Sequence, residues 1–104
     1  MNLNRLVKLI KLNRLNSFQF QKFYHTMRVR MLIPDSMTSV SEGYIGKIYV
    51  EKGEQVKKDQ LVMEIETSKM ILKEKALVDG VVSDICVELD ATYPDKTLLY
   101  KIDY

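Results

Sequence analysis

The stretch "GYIGKIYVEKGEQVKKDQLVMEI", residues 43–65, aligns without a gap with "GVVSDICVELDATYPDKTLLYKI", residues 80–102. Six of the 23 aligned positions are identical, at a constant offset of 37 residues. Tyr44, Ile45 and Val62 also align with apolar residues. The agreement in identity and in polarity indicates an internal repeat. The identical pairs are Gly43/Gly80, Ile48/Ile85, Val50/Val87, Glu51/Glu88, Leu61/Leu98 and Ile65/Ile102.

Both copies of the repeat predict the same local structure. Each begins at a glycine, which is expected to serve a turn or a bulge. A short strand follows, then a polar turn ("EKGEQ" or "ELDAT"), then a second strand. Alternation with period two places every second residue of a strand on one face. The predicted core residues are Ile48, Val50, Leu61, Met63, Ile65, Ile85, Val87, Leu98 and Ile102.

The pattern after residue 31 predicts an all-β domain. No stretch there has the period of an amphipathic helix. A short two-stranded half cannot bury its apolar face alone. Two such halves reach a stable structure when two small antiparallel sheets pack face to face, related by a pseudo-twofold axis.

The word "ETSKM", residues 66–70, lies between the two repeats. We interpret it as a tight turn between strands that end at Ile65 and begin at Met70. It contains no Asn-Gly or Gly-Gly pair, so a type I turn, which accepts most residues, is favoured over a primed turn. The repeat relates this turn to the point where the chain enters and leaves the domain. Lys69 is therefore predicted at an exposed tip opposite the termini.

The N-terminal segment differs in charge from the rest of the chain. Residues 1–30 hold seven of the 16 basic residues and no acidic residue. Leu3, Leu6, Val7 and Ile10 form one apolar helical face. A basic, acid-free amphipathic helix is typical of a mitochondrial targeting leader, which we assign to residues 1–28. The alternative is a retained helix that anchors the protein to a membrane surface or a partner. Charges interrupt it too often for a transmembrane span.

Composition excludes several classes of function. Residues 31–104 carry nine basic and 14 acidic residues, a net charge of −5. That balance disfavours nucleic-acid binding, which needs clustered Lys and Arg. The chain has one cysteine and one histidine. This excludes a disulfide framework and a Cys/His zinc site within one chain. Cys86 is predicted to pack in or near a sheet, and His25 has no partner histidine.

The body resembles the lipoyl domain family over residues 29–103. "ETSKM" resembles that family's E-T-D-K turn. The run from Pro34 to Gly43, "PDSMTSVSEG", is most similar to the lipoyl domain of dihydrolipoyl succinyltransferase, the acyltransferase of the 2-oxoglutarate dehydrogenase complex. Gly53 and Gly80 also stand where that family places glycines.

The resemblance implies a flattened barrel or sandwich of two four-stranded antiparallel sheets over residues 29–104. It implies lipoate in amide linkage on Lys69, with Glu66, Thr67, Ser68 and Met70 forming the attachment turn. It implies no catalytic residue and no metal. The expected function is a free-standing carrier of acyl groups and reducing equivalents in the mitochondrial matrix. The expected partners are a lipoate ligase or lipoyl transferase and the 2-oxoacid dehydrogenase, acyltransferase and dihydrolipoyl dehydrogenase components.

The sequence departs from the family pattern at a few positions. Ser68 replaces the usual Asp, and Met70 follows the lysine as in biotinyl domains. Glu74 falls in register with Met70 and Leu72, both predicted to point inward. Leu77 replaces part of an Ala-Pro pair, and Asp90 and Ala91 replace a glycine-containing turn. A biotin carrier, or an unmodified accessory subunit of a larger mitochondrial assembly, therefore remains an alternative.

Overall fold

The computed structural model describes residues 23–104 as eight strands in two four-stranded antiparallel sheets. This confirms the predicted all-β architecture. The predicted N-terminal helix lies outside the described residues. No helix within residues 23–104 is long and apolar enough to cross a membrane. The strands are β1 (Thr26–Arg30), β2 (Glu42–Ile48), β3 (Gln55–Val56), β4 (Leu61–Glu66), β5 (Ile71–Lys75), β6 (Gly80–Ile85), β7 (Thr92–Pro94) and β8 (Leu98–Asp103).

The two sheets are related by the predicted pseudo-twofold. One sheet has the order β1-β8-β6-β3 and the other β5-β4-β2-β7. Exchanging β1 with β5, β2 with β6, β3 with β7 and β4 with β8 converts one order into the other. The residues that precede β1 and follow β8 meet at the counterpart of the β4–β5 turn. There the Tyr104 N–H donates to the His25 carbonyl at 3.0 Å, and the two rings lie 5.3 Å apart.

The core follows the repeat, but β-bulges shift which residues point inward. In the β4–β5 ladder the register shifts between Leu61 and Met63. Val62 and Met63 are consequently both fully buried, whereas Leu61 is only partly buried. The prediction of Leu61 and its counterpart Leu98 as core residues was therefore wrong, because a bulge breaks period two. Ile48 and Ile85 are partly buried and pack against the core, as predicted. The other predicted core residues, Val50, Met63, Ile65, Val87 and Ile102, are buried.

The bulge makes a testable prediction about relative stability. Val62→Ala is expected to cost about 1.5–3 kcal/mol, because the side chain is fully buried. Leu61→Ala is expected to cost less, although leucine is the larger residue. Urea unfolding of the two variants measures both costs. A larger loss for Leu61→Ala would contradict the assigned register.

Gly43 and Gly80 serve close packing inside strands and not the turn or bulge predicted for them. A Cβ on Gly43 would overlap Cγ2 of Ile65 and lie 2.8 Å from Sδ of Met31. A Cβ on Gly80 would overlap the carbonyl oxygen of Asp103. Both positions therefore require glycine because the neighbouring chain passes too close for a side chain.

The left-handed turns also obey the repeat. Gly53 has a φ of 90° and Asp90, 37 residues later, has a φ of 63°. Asp59 and Lys96, with φ of 72° and 70°, form a second pair at the same offset. Asp90 thus adopts the backbone conformation that glycine usually supplies, which aspartate tolerates better than most residues.

Glu74 and Tyr100 are polar residues whose symmetry counterparts in the other sheet, Val29 and Met63, are apolar. Val29 pairs with Tyr100, and Met63 pairs with Glu74 in the equivalent position of the other sheet. Tyr100 is fully buried, and its hydroxyl has no hydrogen-bond partner among the described residues. Burial, followed by the nearby Glu74 carboxyl, raises the pKa of Tyr100 to about 12. Glu74 is partly buried in a groove along β1 that Arg28 also lines.

Replacing Glu74 by Gln is expected to remove part of the pH dependence of stability. Burial raises the pKa of Glu74 above its ordinary value of 4.5, so the folded state favours the protonated carboxyl. Its contribution to stability is complete below pH 4.5 and is lost as the pH rises through the higher folded pKa. Urea unfolding measures the free energy of unfolding of both proteins between acid and neutral pH. As the pH rises, the free energy of unfolding of the wild type should fall relative to that of Glu74→Gln. Parallel curves would contradict this assignment.

Candidate functional site

The β4–β5 hairpin presents Lys69 in its turn. Glu66 and Ile71 form the last pair of the ladder, so β4 ends one residue later and β5 begins one residue later than predicted. Residues 67–70 form the turn, and the Thr67 N–H donates to the Met70 carbonyl at 2.9 Å. No residue of this turn has a positive φ. That agrees with the prediction that the turn does not need a primed conformation.

The hydroxyl of Thr67 lies at the centre of the turn. It accepts hydrogen bonds from the N–H of Met70 at 3.0 Å and the N–H of Lys69 at 3.3 Å. It donates to the Met70 carbonyl at 2.7 Å. In an ordinary β-turn the N–H of the fourth residue bonds to the carbonyl of the first. Here a side-chain oxygen of the first residue accepts that bond.

The other predicted turn residues are exposed around Lys69. Ser68 and Lys69 are both exposed, and Met70 is 48% exposed. Met70 was predicted to point inward, and this was wrong because it lies in the turn before β5 begins. The Glu66 carboxylate lies over Gly46 of β2, since a Cβ there would be 3.1 Å from its Oε1.

A polar cleft of about 390 Å³ adjoins the turn. It lies between the loop that precedes β2 and the first residues of the Lys69 turn. Among residues 23–104, two carboxylates, of Glu42 and Glu66, line it, and no Lys or Arg does. At its edge the Tyr44 hydroxyl donates to Asp90 at 2.7 Å, a bond that raises the pKa of Tyr44. The hydroxyl-bearing lining residues are Ser39, Ser41, Tyr44, Thr67, Ser68 and Thr92. The cleft leaves no local pattern in the sequence, because it joins three segments that are distant in the chain.

Lys73, Lys75 and Cys86 do not line this cleft. Lys73 and Lys75 lie along β5 and outside the turn. Cys86 follows β6 and is exposed, which corrects its predicted place in or near the sheet packing. Partial burial and the neighbouring Asp84 carboxylate raise the pKa of its thiol, so Cys86 is not activated as a nucleophile.

Comparisons with known proteins agree with this geometry. The sequence profile of the biotin/lipoyl family, described as "Biotin-requiring enzyme", matches residues 29–102. The dihydrolipoyllysine-residue succinyltransferase component of the 2-oxoglutarate dehydrogenase complex from Haemophilus influenzae is 36% identical over 76 residues. That alignment covers 73% of this chain and 19% of the relative. The corresponding protein from Rickettsia felis is 41% identical over 59 residues, 57% of this chain and 15% of the relative. The chain therefore spans less than a fifth of the length of these relatives.

Solved structures show the same fold. The lipoyl domain of the 2-oxoglutarate dehydrogenase complex from Azotobacter vinelandii superposes with a TM-score of 0.59 at 30% identity, over 71% of this chain and 94% of that one. Kluyveromyces lactis urea carboxylase superposes with a TM-score of 0.62 at 17% identity, over 79% of this chain and 6% of that one, which shows the fold alone. Lipoyl domains of this kind bind lipoate covalently on a lysine and act as carriers, not as catalytic domains. By the extent of the profile match and the shared fold, this chain belongs to the biotin/lipoyl attachment family, with the lipoyl domain of 2-oxoglutarate dehydrogenase complexes among its similar members.

Proposed function

We propose that Lys69 carries lipoate in amide linkage and that the domain serves as the carrier of a 2-oxoglutarate dehydrogenase-type complex. The observation that carries this proposal is the position of Lys69, exposed in the turn of the hairpin between the two repeats. The named relatives in Haemophilus influenzae and Rickettsia felis support the choice of complex.

The residues around Lys69 fit a covalently attached group. The amine of Lys69 has no ion-pair or hydrogen-bond partner among the described residues, so it is available for acylation. The hydrogen bonds of Thr67 fix the backbone at its base. Acylation would remove the positive charge of the lysine. When bound, lipoate supplies a dithiolane that can be reduced, carry an acyl group and be reoxidised. The protein contributes a rigid base and a high effective concentration of the arm near its partners.

Intact mass spectrometry tests this proposal. The full chain, produced with lipoic acid and a lipoate ligase, is expected to gain the mass of one lipoyl group. Peptide mapping should place that group on Lys69. A full-length chain that stays unmodified under these conditions would favour the accessory-subunit alternative.

A biotin carrier is the second candidate, and Met70 favours it. Biotinyl domains place a methionine directly after the modified lysine, and Met70 is half exposed and accessible to a ligase. Glu66 and Thr67 favour lipoate instead. Production with biotin and a biotin ligase in place of the lipoate system separates the two candidates. A biotinyl mass on Lys69, in the absence of a lipoyl mass, would replace the first proposal.

We propose in addition that residues 1–28 direct the protein to the mitochondrial matrix and that residues 29–104 are the carrier domain. The charge of the first segment and the match of the family profile to residues 29–102 support this division. The proposed partners are a lipoyl transferase and the dehydrogenase, acyltransferase and dihydrolipoyl dehydrogenase components. An acidic body suits partners with basic surfaces, because complementary charge steers association.

Reversing the charge of the leader is expected to abolish import. In this variant Arg5, Lys8, Lys11 and Arg14 are replaced by Glu, which removes the basic face that anionic membranes and import receptors attract. Fractionation or imaging of the tagged full chain measures its location. A control that replaces each of these arginines by Lys and each of these lysines by Arg should be imported. Unchanged import of the Glu variant would contradict the targeting role.

A further inference from the structure

Besides the backbone hydrogen bond from the Thr67 N–H to the Met70 carbonyl, a single side chain holds the turn that presents Lys69. It contains no glycine and no residue with positive φ. Ser68, at the position where the family usually has Asp, makes no side-chain hydrogen bond among residues 23–104. The left-handed turns at Gly53 and Asp90 are equivalent under the repeat, but the counterpart of the Lys69 turn is the place where His25 and Tyr104 meet. Its conformation therefore depends on contacts made within residues 67–70.

The Thr67 hydroxyl supplies those contacts on both sides of the lysine Cα. It accepts from the Lys69 N–H at 3.3 Å and the Met70 N–H at 3.0 Å, and it donates to the Met70 carbonyl at 2.7 Å. With these bonds in place the peptide groups that precede and follow Lys69 are both fixed. The direction in which the lysine side chain leaves the backbone is then fixed as well.

We propose that Thr67 is a positioning residue for the acylation of Lys69: its hydroxyl holds the turn so that the lysine amine is presented to the ligase in a reactive orientation. This inference rests on the proposed function of Lys69. In the reaction the Lys69 amine attacks a lipoyl carboxyl activated as its adenylate, forms the amide and releases AMP and one proton. The rate of such a step depends on how narrowly the attacking amine is oriented. Thr67 touches none of the reacting atoms and acts through the backbone of Lys69.

Three variants of the full chain test the role of the hydroxyl. Thr67→Val keeps the β-branched shape but removes the hydroxyl, whereas Thr67→Ser keeps the hydroxyl. Thr97→Val is the matched control, because it removes a threonine hydroxyl that donates to the Pro94 carbonyl at 2.6 Å in a different turn. Each variant is incubated with a lipoate ligase, lipoic acid and ATP, and the lipoylated fraction is followed by intact mass.

The expected result is a fall of about tenfold in kcat/KM for Thr67→Val, in line with the loss of hydrogen bonds to two backbone amides. The fall should lie in kcat, because the docking surface of the domain is unchanged. Thr67→Ser and Thr97→Val should stay within about twofold of the wild type. The melting temperature of Thr67→Val should move by no more than about 5 °C, which separates positioning from unfolding. Amide hydrogen exchange at Lys69 and Met70 should accelerate in Thr67→Val alone.

Several outcomes would overturn the inference. They are loading of Thr67→Val at the wild-type rate, failure of Thr67→Ser to restore it, or a loss confined to KM, which would make Thr67 a docking contact. If the wild-type chain itself gains no lipoyl mass, the proposed function fails. The amide exchange of the turn still reports on the hydroxyl in that case, so the two failures are distinguishable.

Discussion

A Lys69→Arg variant of the full chain is expected to gain no lipoyl group at all, while its fold stays intact. Arginine keeps the positive charge and the exposed turn position. Its guanidinium remains protonated in proteins and offers no amine that a ligase can acylate. The lipoyl mass of the wild type should therefore disappear, and the unfolding curve of the variant should overlay that of the wild type.

Lys73→Arg and Lys75→Arg are the matched controls for this experiment. Both lysines lie on β5, a few residues beyond the turn, and both are exposed. If the position in the hairpin decides which lysine is modified, both variants should load like the wild type. Lipoyl mass that persists in Lys69→Arg would show that another lysine is used and would overturn the assignment of the site.

Ile65→Ala is expected to destabilise the domain by roughly 2–5 kcal/mol, because the side chain is fully buried at the middle of the core. Ile65 lies on β4 directly against Gly43 of β2. Truncation leaves a cavity that Gly43, without a side chain, cannot fill. Denaturant unfolding followed by circular dichroism measures the loss. For a domain of this size such a cost is a large share of its total stability.

Ile71→Ala provides the comparison within the same hairpin. Ile71 pairs with Glu66 but is 49% exposed. Its truncation is expected to change the free energy of unfolding by no more than about 0.5 kcal/mol, as is usual at surface positions. Equal losses for Ile65→Ala and Ile71→Ala would show that the inner face of β4 has been assigned wrongly.

The repeat at offset 37 was sufficient to predict two symmetric sheets and an exposed turn at Lys69. The alternation of period two wrongly placed Leu61 and Leu98 in the core. The bulges that turn Val62 and Leu99 inward depend on pairing with another strand. The tertiary fold determines which strands pair, so the alternation of polar and apolar residues within one strand does not reveal a bulge.

The contribution of β1 to the core could not be predicted from the repeat either. β1 and β5 are equivalent at an offset of 45 residues, not 37, so Val29 and Glu74 never align within the repeat. Three further residues also belong to the core: Met31, Ile33 and Met37. Alignment of the repeats could not reveal them, because they precede the first repeat. The role of Thr67 in the turn could not be predicted either, because several turn types accept a threonine there. Only the backbone geometry reveals that its hydroxyl replaces a carbonyl as acceptor.

The sheet that holds Lys69 is completed by a strand that is synthesised well after the lysine. β7 (Thr92–Pro94) is the edge strand beside β2, and the Ile45 N–H donates to the Ala91 carbonyl at 2.9 Å. In the other sheet, β8, the last of the described strands, is one of the two inner strands. On the ribosome, Lys69 is therefore synthesised well before the hairpin that presents it can become stable. A ligase that recognises the folded hairpin must therefore wait until residue 103 has left the exit tunnel, so attachment follows the completion of both sheets.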